Sequence, residues 1–394
     1  MNPVYVVSGT RTAIGDFGGS LKDFSPSQLG ALVIREAVSR AGLTPSDIQH
    51  VVMGNVIQTK PADAYLARVS AIEAGVPIES PALTLNRLCG SGVQAVISAA
   101  QMLALDECDI AVAGGAECMT RAPHHVTSAR FGQKMGNIDM VDALVGILSD
   151  PFEGFHMGIT AENIASDLQI TRQKQDAAAA ESHARAARAQ AEGRFKDQIL
   201  PIEVKDRRAT RIFDTDEHVR GETSVESLSS LKPAFKKDGT VTAGNASGIN
   251  DGAAAVVLAS QRAVDQHGLK PMAKILGWGH SGVAPDRMGL GPVTSVPIAL
   301  ERAGLTLDQI DVIEANEAFA AQACGVAQLL GFNPDKVNPN GSGISLGHPV
   351  GATGAILLVK TLYELQRTGG QYGLITMCIG GGQGIALVVE RCPG

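Results

Sequence analysis

The chain opens on the apolar run VYVVSG, and similar runs recur as LTL (83–85), IAVAGGAE (110–117), GAAAVVLA (252–259), LITMCI (374–379) and IALVVE (385–390). Near-continuous apolar runs without polar alternation are the pattern of strands covered on both faces. Between them stand VQAVISAAQMLAL (93–105) and AILLVKTLYEL (355–365), helix-length segments. The first is apolar nearly all round, as a helix buried between layers has to be. An Ala-rich stretch from Arg172 to Gly193 behind Thr171, a candidate cap, predicts one more helix.

The pattern occurs twice. AGLTPSDIQHVV begins at Ala41 and AGLTLDQIDVIE at Ala303, an offset of 262 residues, and the same offset lays Cys89-Gly90-Ser91-Gly92 on Gly351-Ala352-Thr353-Gly354. IAVAGGAE then faces ITMCIGGGQ after a short insertion. This period is far longer than the roughly 20 to 50 residues of solenoid repeats. It predicts an α/β fold of two pseudo-symmetric layered core domains, with a ligand site at their junction. Residues 121–248 interrupt the first copy with a different texture, and GINDGAAAVVLAS resumes it. The expected organisation is a discontinuous first domain (1–120 plus 249–270), an inserted loop domain (121–248) and a second core domain (271–394).

Composition narrows the classes. Hydrophobic residues make up 44% of the chain but aromatic ones only 4%, so small aliphatic side chains must fill the core. The net charge is −7 with no basic block, which argues against a nucleic-acid partner. No apolar run reaches the roughly 18 residues of a membrane span, and the start lacks a signal-peptide pattern. A soluble, cytoplasmic protein is expected. The six cysteines (89, 108, 118, 324, 378 and 392) form no C-x-x-C pair, so free thiols and no metal site are expected.

Four positions carry candidate chemistry. Cys89 lies where LTL turns into an apolar helix, near a helix N-terminus that favours thiolate, although a small packing thiol suits such a turn equally well. His348 stands in the Gly-rich NPNGSGISLGHPVGATGA, in the second copy of the turn that holds Cys89. Gly343-Ile344-Ser345-Leu346-Gly347 matches the serine-hydrolase pattern, but no hydrophobic strand precedes it. Cys378 ends a strand-like run ahead of glycines whose N–H groups could hold an oxyanion. Asn316, after the repeated AGLT unit, could position a water or simply form a turn.

LNRLCGSG, NEAFAAQ, SGISLGHPVGATG and MCIGGGQG together resemble the thiolase family over essentially the whole chain. Asn340-Gly341-Ser342-Gly343 departs mildly from the family's usual Asn-Gly-Gly. The resemblance implies a thiolase-like fold and reversible Claisen condensation of two acetyl-CoA to acetoacetyl-CoA plus CoA. It makes Cys89 the nucleophile, His348 its base and Cys378 the acid/base at the α-carbon. Asn316 with His348 would form one oxyanion hole, and Cys89 and Gly380 N–H the other. The CoA-binding residues it implies are Arg220, Ser227, Leu231, Phe235, Ala243 and Ser247, with Met288, Ala318 and Phe319 further in and Leu148, His156 and Met157 beside the acyl group. His156-Met157-Gly158 resembles the short-chain biosynthetic type that feeds polyhydroxyalkanoate synthesis. Lys205, Arg207, Arg208, Arg211 and Arg220 form a basic cluster suited to an anionic ligand or to a solvated surface. No cofactor beyond the CoA thioesters is implied. A homo-oligomer is, with a dimer through the core domains and a dimer of dimers through the loop near 121–145. The competing readings are a 3-ketoacyl-CoA thiolase of broader chain range, a decarboxylating ketoacyl synthase and a non-catalytic CoA-ester binder.

Overall fold

The apolar runs all become strands in the computed structural model, which describes residues 2–206 and 209–393, but Ala82–Leu85 is a part-exposed edge strand rather than one covered on both faces. The first copy of the repeat supplies β1 (Val4–Thr12), β2 (His50–Gly54), β3 (Ala82–Leu85), β4 (Ile110–Cys118) and β5 (Asn250–Ser260). The second supplies β6 (Ala273–Gly282), β7 (Val312–Ala315), β8 (Tyr372–Ile379) and β9 (Gln383–Arg391). Their order is β7-β8-β9-β6-β1-β5-β4-β2-β3. Counting outward from the middle, β1 corresponds to β6, β5 to β9, β4 to β8 and β2 to β7. In each copy the outermost of these pairs is parallel and the inner ones antiparallel. The copies meet where β1 pairs with β6 at Tyr5↔Lys274 and Val6↔Ala273.

Helices α1 (Pro26–Arg40), α2 (Ser91–Ala104), α5 (Gly291–Ala303) and α6 (Thr353–Thr368) pack on this sheet, while α3 (Met157–Asp167) and α4 (Arg172–Ala191) lie in the 121–248 segment. A Ser25 capping box and Pro26 at the first position start α1, which covers the outer face of β1, β4 and β5. On the other outer face α5 covers β6, β8 and β9. The two apolar helices α2 and α6 lie between the copies and pack on each other. Their approach is close enough to demand glycine. A Cβ on Gly92 would fall 2.5 Å from Ala355 N, and one on Gly354 would fall 2.4 Å from Val93 N. Helix, strands, helix pair, strands and helix thus stack as five layers, an α/β architecture in which β5 is buried along its whole length.

The 121–248 segment lies against both copies. Ile199 and Leu200 pair with Arg11 and Thr12 at the end of β1. The fully buried Arg11 guanidinium grips Asp216 through two bonds, of 2.7 and 3.0 Å. A fork-to-fork pair sealed from water fixes the register of the segment through geometry, since removing one partner strands a buried charge. α3 packs on the helix Ala320–Leu330 of the second copy, which sets its N-terminus facing the end of β8.

Candidate active site

β3 ends at Leu85 and α2 begins at Ser91, so Cys89 sits in the tight turn between them. Leu88 has a φ of 45°, a costly left-handed conformation for a branched side chain. Local bonds hold the turn in place. Leu88 N–H donates to Asn86 Oδ1 (2.8 Å), and the Ser91 hydroxyl accepts from Arg87 N–H (2.9 Å) while donating to Leu88 O (2.7 Å). The turn aims the half-buried Cys89 into a cavity. Burial pushes its thiol up to about 11 and the buried Glu117 adds to this, against N–H groups of Gly380 and Cys89 itself that point at the sulfur. Desolvation therefore outweighs the helix N-terminus, and the resting group is a thiol that needs a base.

A candidate base stands in the second copy of the turn. His348 is buried, and its Nδ1 lies 2.7 Å from the Thr353 hydroxyl, the first residue of α6. Directing the single Thr353 hydroxyl proton to Pro349 O (2.9 Å) puts the imidazole hydrogen on Nδ1 and leaves Nε2 a lone pair. Asn316, one residue past β7, offers its Nδ2 to Nε2 at 3.3 Å. Asn316 Oδ1 is buried and has no partner among the described residues. Burial pulls His348 down to about 4, so it is neutral at physiological pH. Its backbone N–H donates to Asn250 Oδ1 (2.9 Å). Gly347, at φ 101°, lies so close that a Cβ would meet Asn250 Cγ at 2.5 Å.

Cys378 is the penultimate residue of β8 and is buried. Desolvation and the neighbouring Cys89 drive its thiol far above the ordinary value. Gly380, two residues on, has Met157 Cε 3.0 Å and Leu88 Cδ1 3.4 Å from where a Cβ would stand. Cys89, His348 and Gly380 line a chamber of about 60 Å³ whose other walls include Leu148, Met157, Met288, Ala318 and Phe319. Ser247 lines both this chamber and a cleft of about 530 Å³ that also touches His156, Arg220, Phe235 and Ala243. The His156 ring stacks on Phe235 (4.5 Å, 15°), which meets Phe319 edge-on at 6.1 Å. Beyond the cleft a further cavity of about 280 Å³ shares Arg220 and Ala243 and adds Leu231.

Ser227 stands apart. It lies on an exposed turn, where its hydroxyl is engaged with Ser224 in a local capping box, and lines none of these cavities. The basic cluster also disperses. Lys205 and Arg211 lie on the two-stranded ribbon Ile202–Asp206/Ala209–Phe213, Arg211 pairs with Glu217 at 3.5 Å, and Arg220 alone lines the cleft. Arg207 and Arg208 lie outside the described residues. Thr353 and Asn250, which bond His348, and Glu117, which faces Cys89, escaped sequence reasoning. Thr353 carried a signal, since the repeat lays it on Ser91. Among the described residues no group of His, Cys, Asp or Glu side chains could hold a metal ion.

The family model for the thiolase N-terminal domain matches residues 4–262, and that for the C-terminal domain matches residues 269–391. The chain belongs to the thiolase family. Like other thiolases it is an acyltransferase enzyme. It is 59% identical to the β-ketothiolase BktB of Cupriavidus necator over 389 residues, covering 98% of this chain and 99% of that one. An acetyl-CoA acetyltransferase of Chromobacterium violaceum is 50% identical over 390 residues, covering 98% and 99%. Among solved structures, human mitochondrial 3-ketoacyl-CoA thiolase in complex with CoA superposes with a TM-score of 0.97 at 43% identity, covering 100% of this chain and 98% of that one.

Proposed function

We propose that this thiolase is an acetyl-CoA C-acetyltransferase that joins two acetyl-CoA into acetoacetyl-CoA and CoA, reversibly, through an acetyl-thioester on Cys89. The observation that carries the reading is that the buried, neutral imidazole of His348 and the protonated Cys89 thiol line one small chamber.

Nε2 takes the Cys89 proton and the sulfur attacks the acetyl-CoA carbonyl, with the converging N–H groups of Cys89 and Gly380 stabilising the oxyanion. Each such donor is worth roughly 2.7 to 4 kcal/mol. The C–S bond to CoA breaks and Cys378 gives its proton to the departing CoA thiolate. The resulting Cys378 thiolate, strongly basic because it is desolvated, removes the α-proton of a second acetyl-CoA. The enolate oxygen accepts hydrogen bonds from Nε2–H of the now protonated His348 and from a water on Asn316. The enolate carbon then attacks the thioester, Cys89 leaves, and His348 returns its proton.

A chamber of about 60 Å³ walled by Met157, Met288 and Phe319 favours a short acyl group. The cleft suits the pantetheine arm, with His156 and Phe235 beside it and Arg220 toward the phosphates. The free edge of β3 with exposed Ile78 and Leu83 is consistent with a dimer, and exposed Phe131, Met135 and Met140 with a dimer of dimers. No helix among the described residues is long and apolar enough to cross a membrane. The proposed setting is the cytoplasm, where the product would feed reserve-polymer synthesis.

The decisive experiment incubates the chain with acetyl-CoA and maps the acetyl adduct by mass, then follows acetoacetyl-CoA cleavage after adding free CoA. Acetylation confined to Cys89 with CoA-dependent cleavage is expected. A Cys89→Ser variant with normal turnover would sink the reading, as would binding of acetoacetyl-CoA without cleavage.

A further inference from the structure

A buried carboxylate beside Cys89 takes no part in the chemistry above. Glu117, near the end of β4, has no exposed surface, yet both its oxygens are fully engaged. Oε1 accepts from Asn55 Nδ2 and Ile57 N–H, both at 3.0 Å. Oε2 accepts from Val56 N–H and Gly351 N–H, both at 2.9 Å. The first three donors follow β2 in the first copy of the repeat. Gly351 belongs to the second copy, three residues after His348. Nothing bulkier fits there, since a Cβ on Gly351 would fall 2.4 Å from Oε2. Val56 and Val350, which flank these contacts, both line the chamber at Cys89.

We propose that Glu117 is a positioning residue for acyl transfer, whose carboxylate fastens the Val56 segment of one copy to the His348 turn of the other and so sets both against Cys89. The inference rests on the acyl-transfer reading. All four partners are donors, so the cage accommodates the ionised form, in which no proton has to point at an N–H. That charge also faces the nucleophile and helps raise its thiol. Cys89 further faces Cys378 from β8 and His348 from the turn before α6, and Glu117 faces Asp251 from β5. Burial, with Asp251, pushes Glu117 itself up to about 8 even with the N–H donors opposing it, so Glu117 is ionised in the range where Cys89, near 11, titrates.

Glu117→Gln keeps the shape, removes the charge and sets an amide NH₂ against two N–H donors. Misplacing reacting groups by about 1 Å costs on the order of 100-fold. The expected result is a kcat for acetoacetyl-CoA cleavage reduced on the order of 100-fold, with KM changed less than about threefold. The pH midpoint for alkylation of Cys89 by iodoacetamide should fall, because a facing negative charge is gone. A packing role alone would lower the melting temperature and leave that midpoint in place. Glu117→Asp, which keeps the charge but not the reach, should restore the midpoint and remain slow. A Gln variant with normal kcat or an unmoved midpoint overturns the proposal. If that variant does not fold, Asn55→Ala removes one donor and leaves the charge. A several-fold lower kcat at an unchanged midpoint is then expected, and a normal kcat overturns the proposal. If the unsubstituted chain takes no acetyl group on Cys89, it is the acyl-transfer reading that fails. Normal acetylation with an indifferent Glu117 sinks only the positioning role.

Discussion

The two turns that enter α2 and α6 occupy equivalent places 262 residues apart and share a backbone plan, but they do opposite jobs. Each begins its helix with a hydroxyl residue that bonds back into its own turn: Ser91 to Leu88 O, Thr353 to Pro349 O. Each needs glycine at the helix contact, Gly92 in one and Gly354 in the other. In the first copy the hydroxyl's remaining capacity goes to a backbone N–H, that of Arg87, and the turn presents a strained, half-buried thiol. In the second copy it goes to His348 Nδ1 and decides which nitrogen of a buried imidazole is bare. One scaffold thus occurs twice, and small differences of side chain make one copy present a thiol and the other an imidazole, the nucleophile and the base of the proposed mechanism.

The comparison breaks hardest at the base itself. His348→Ala removes the proposed proton acceptor while leaving Cys89 in its turn, and general-base loss is expected to lower kcat by roughly 10² to 10⁴. Stopped-flow measurement of Cys89 acetylation checks it, and a loss under tenfold would mean that another group takes the thiol proton. Thr353→Val comes next. It preserves shape but removes both the acceptor for Nδ1–H and the bond to Pro349 O, freeing the ring to change tautomer. A kcat roughly 10- to 100-fold lower is expected, with KM nearly unchanged, in steady-state thiolysis.

A smaller effect follows from titration. His348 sits near 4 in the folded chain against the ordinary 6.5, so between those values the unfolded state binds the extra proton. Stability from keeping this imidazole neutral is present above about pH 6.5 and lost as pH falls toward 4, by at most on the order of 3 kcal/mol. His348→Asn removes the titration, so the variant should lose less stability than the wild type between pH 7 and pH 5. Parallel denaturant titrations at the two pH values measure the difference, and equal losses would contradict a neutral buried His348.

Much of this site was legible because its signals are local. Cys89, His348, Cys378 and Asn316 each stand beside a strand end or a glycine run that a linear reading detects, and the 262-residue offset matched strands that prove equivalent in the sheet. What escaped is set by distant partners. Glu117 looks like one acid at the end of an apolar run until residues 55–57 and Gly351 close around it. The charged stretch 205–220 read as one basic cluster, yet the alternation of a two-stranded ribbon and the bond from Arg211 toward Glu217 draw its described members apart. The fixed tautomer of His348 depends on which way a threonine hydroxyl points, which no pattern of residue types encodes.

The smallest expected effect is the sharpest test of the division of labour between the turns. Ser91→Ala is the counterpart of Thr353→Val, since both delete a hydroxyl at the first position of a central helix. At Ser91 the deletion strands the part-buried Arg87 N–H, a loss of about 1 kcal/mol, while the Leu88 carbonyl keeps the Ser91 backbone N–H at 3.0 Å. No titratable group depends on that hydroxyl. The melting temperature should therefore fall by a few degrees while kcat stays within about fivefold of normal. If Ser91→Ala instead lowered kcat as far as Thr353→Val does, with the fold intact by circular dichroism, the first turn would be tuning Cys89 chemically. The two hydroxyls would then be functional equivalents, and the asymmetry argued from the tautomer would not hold.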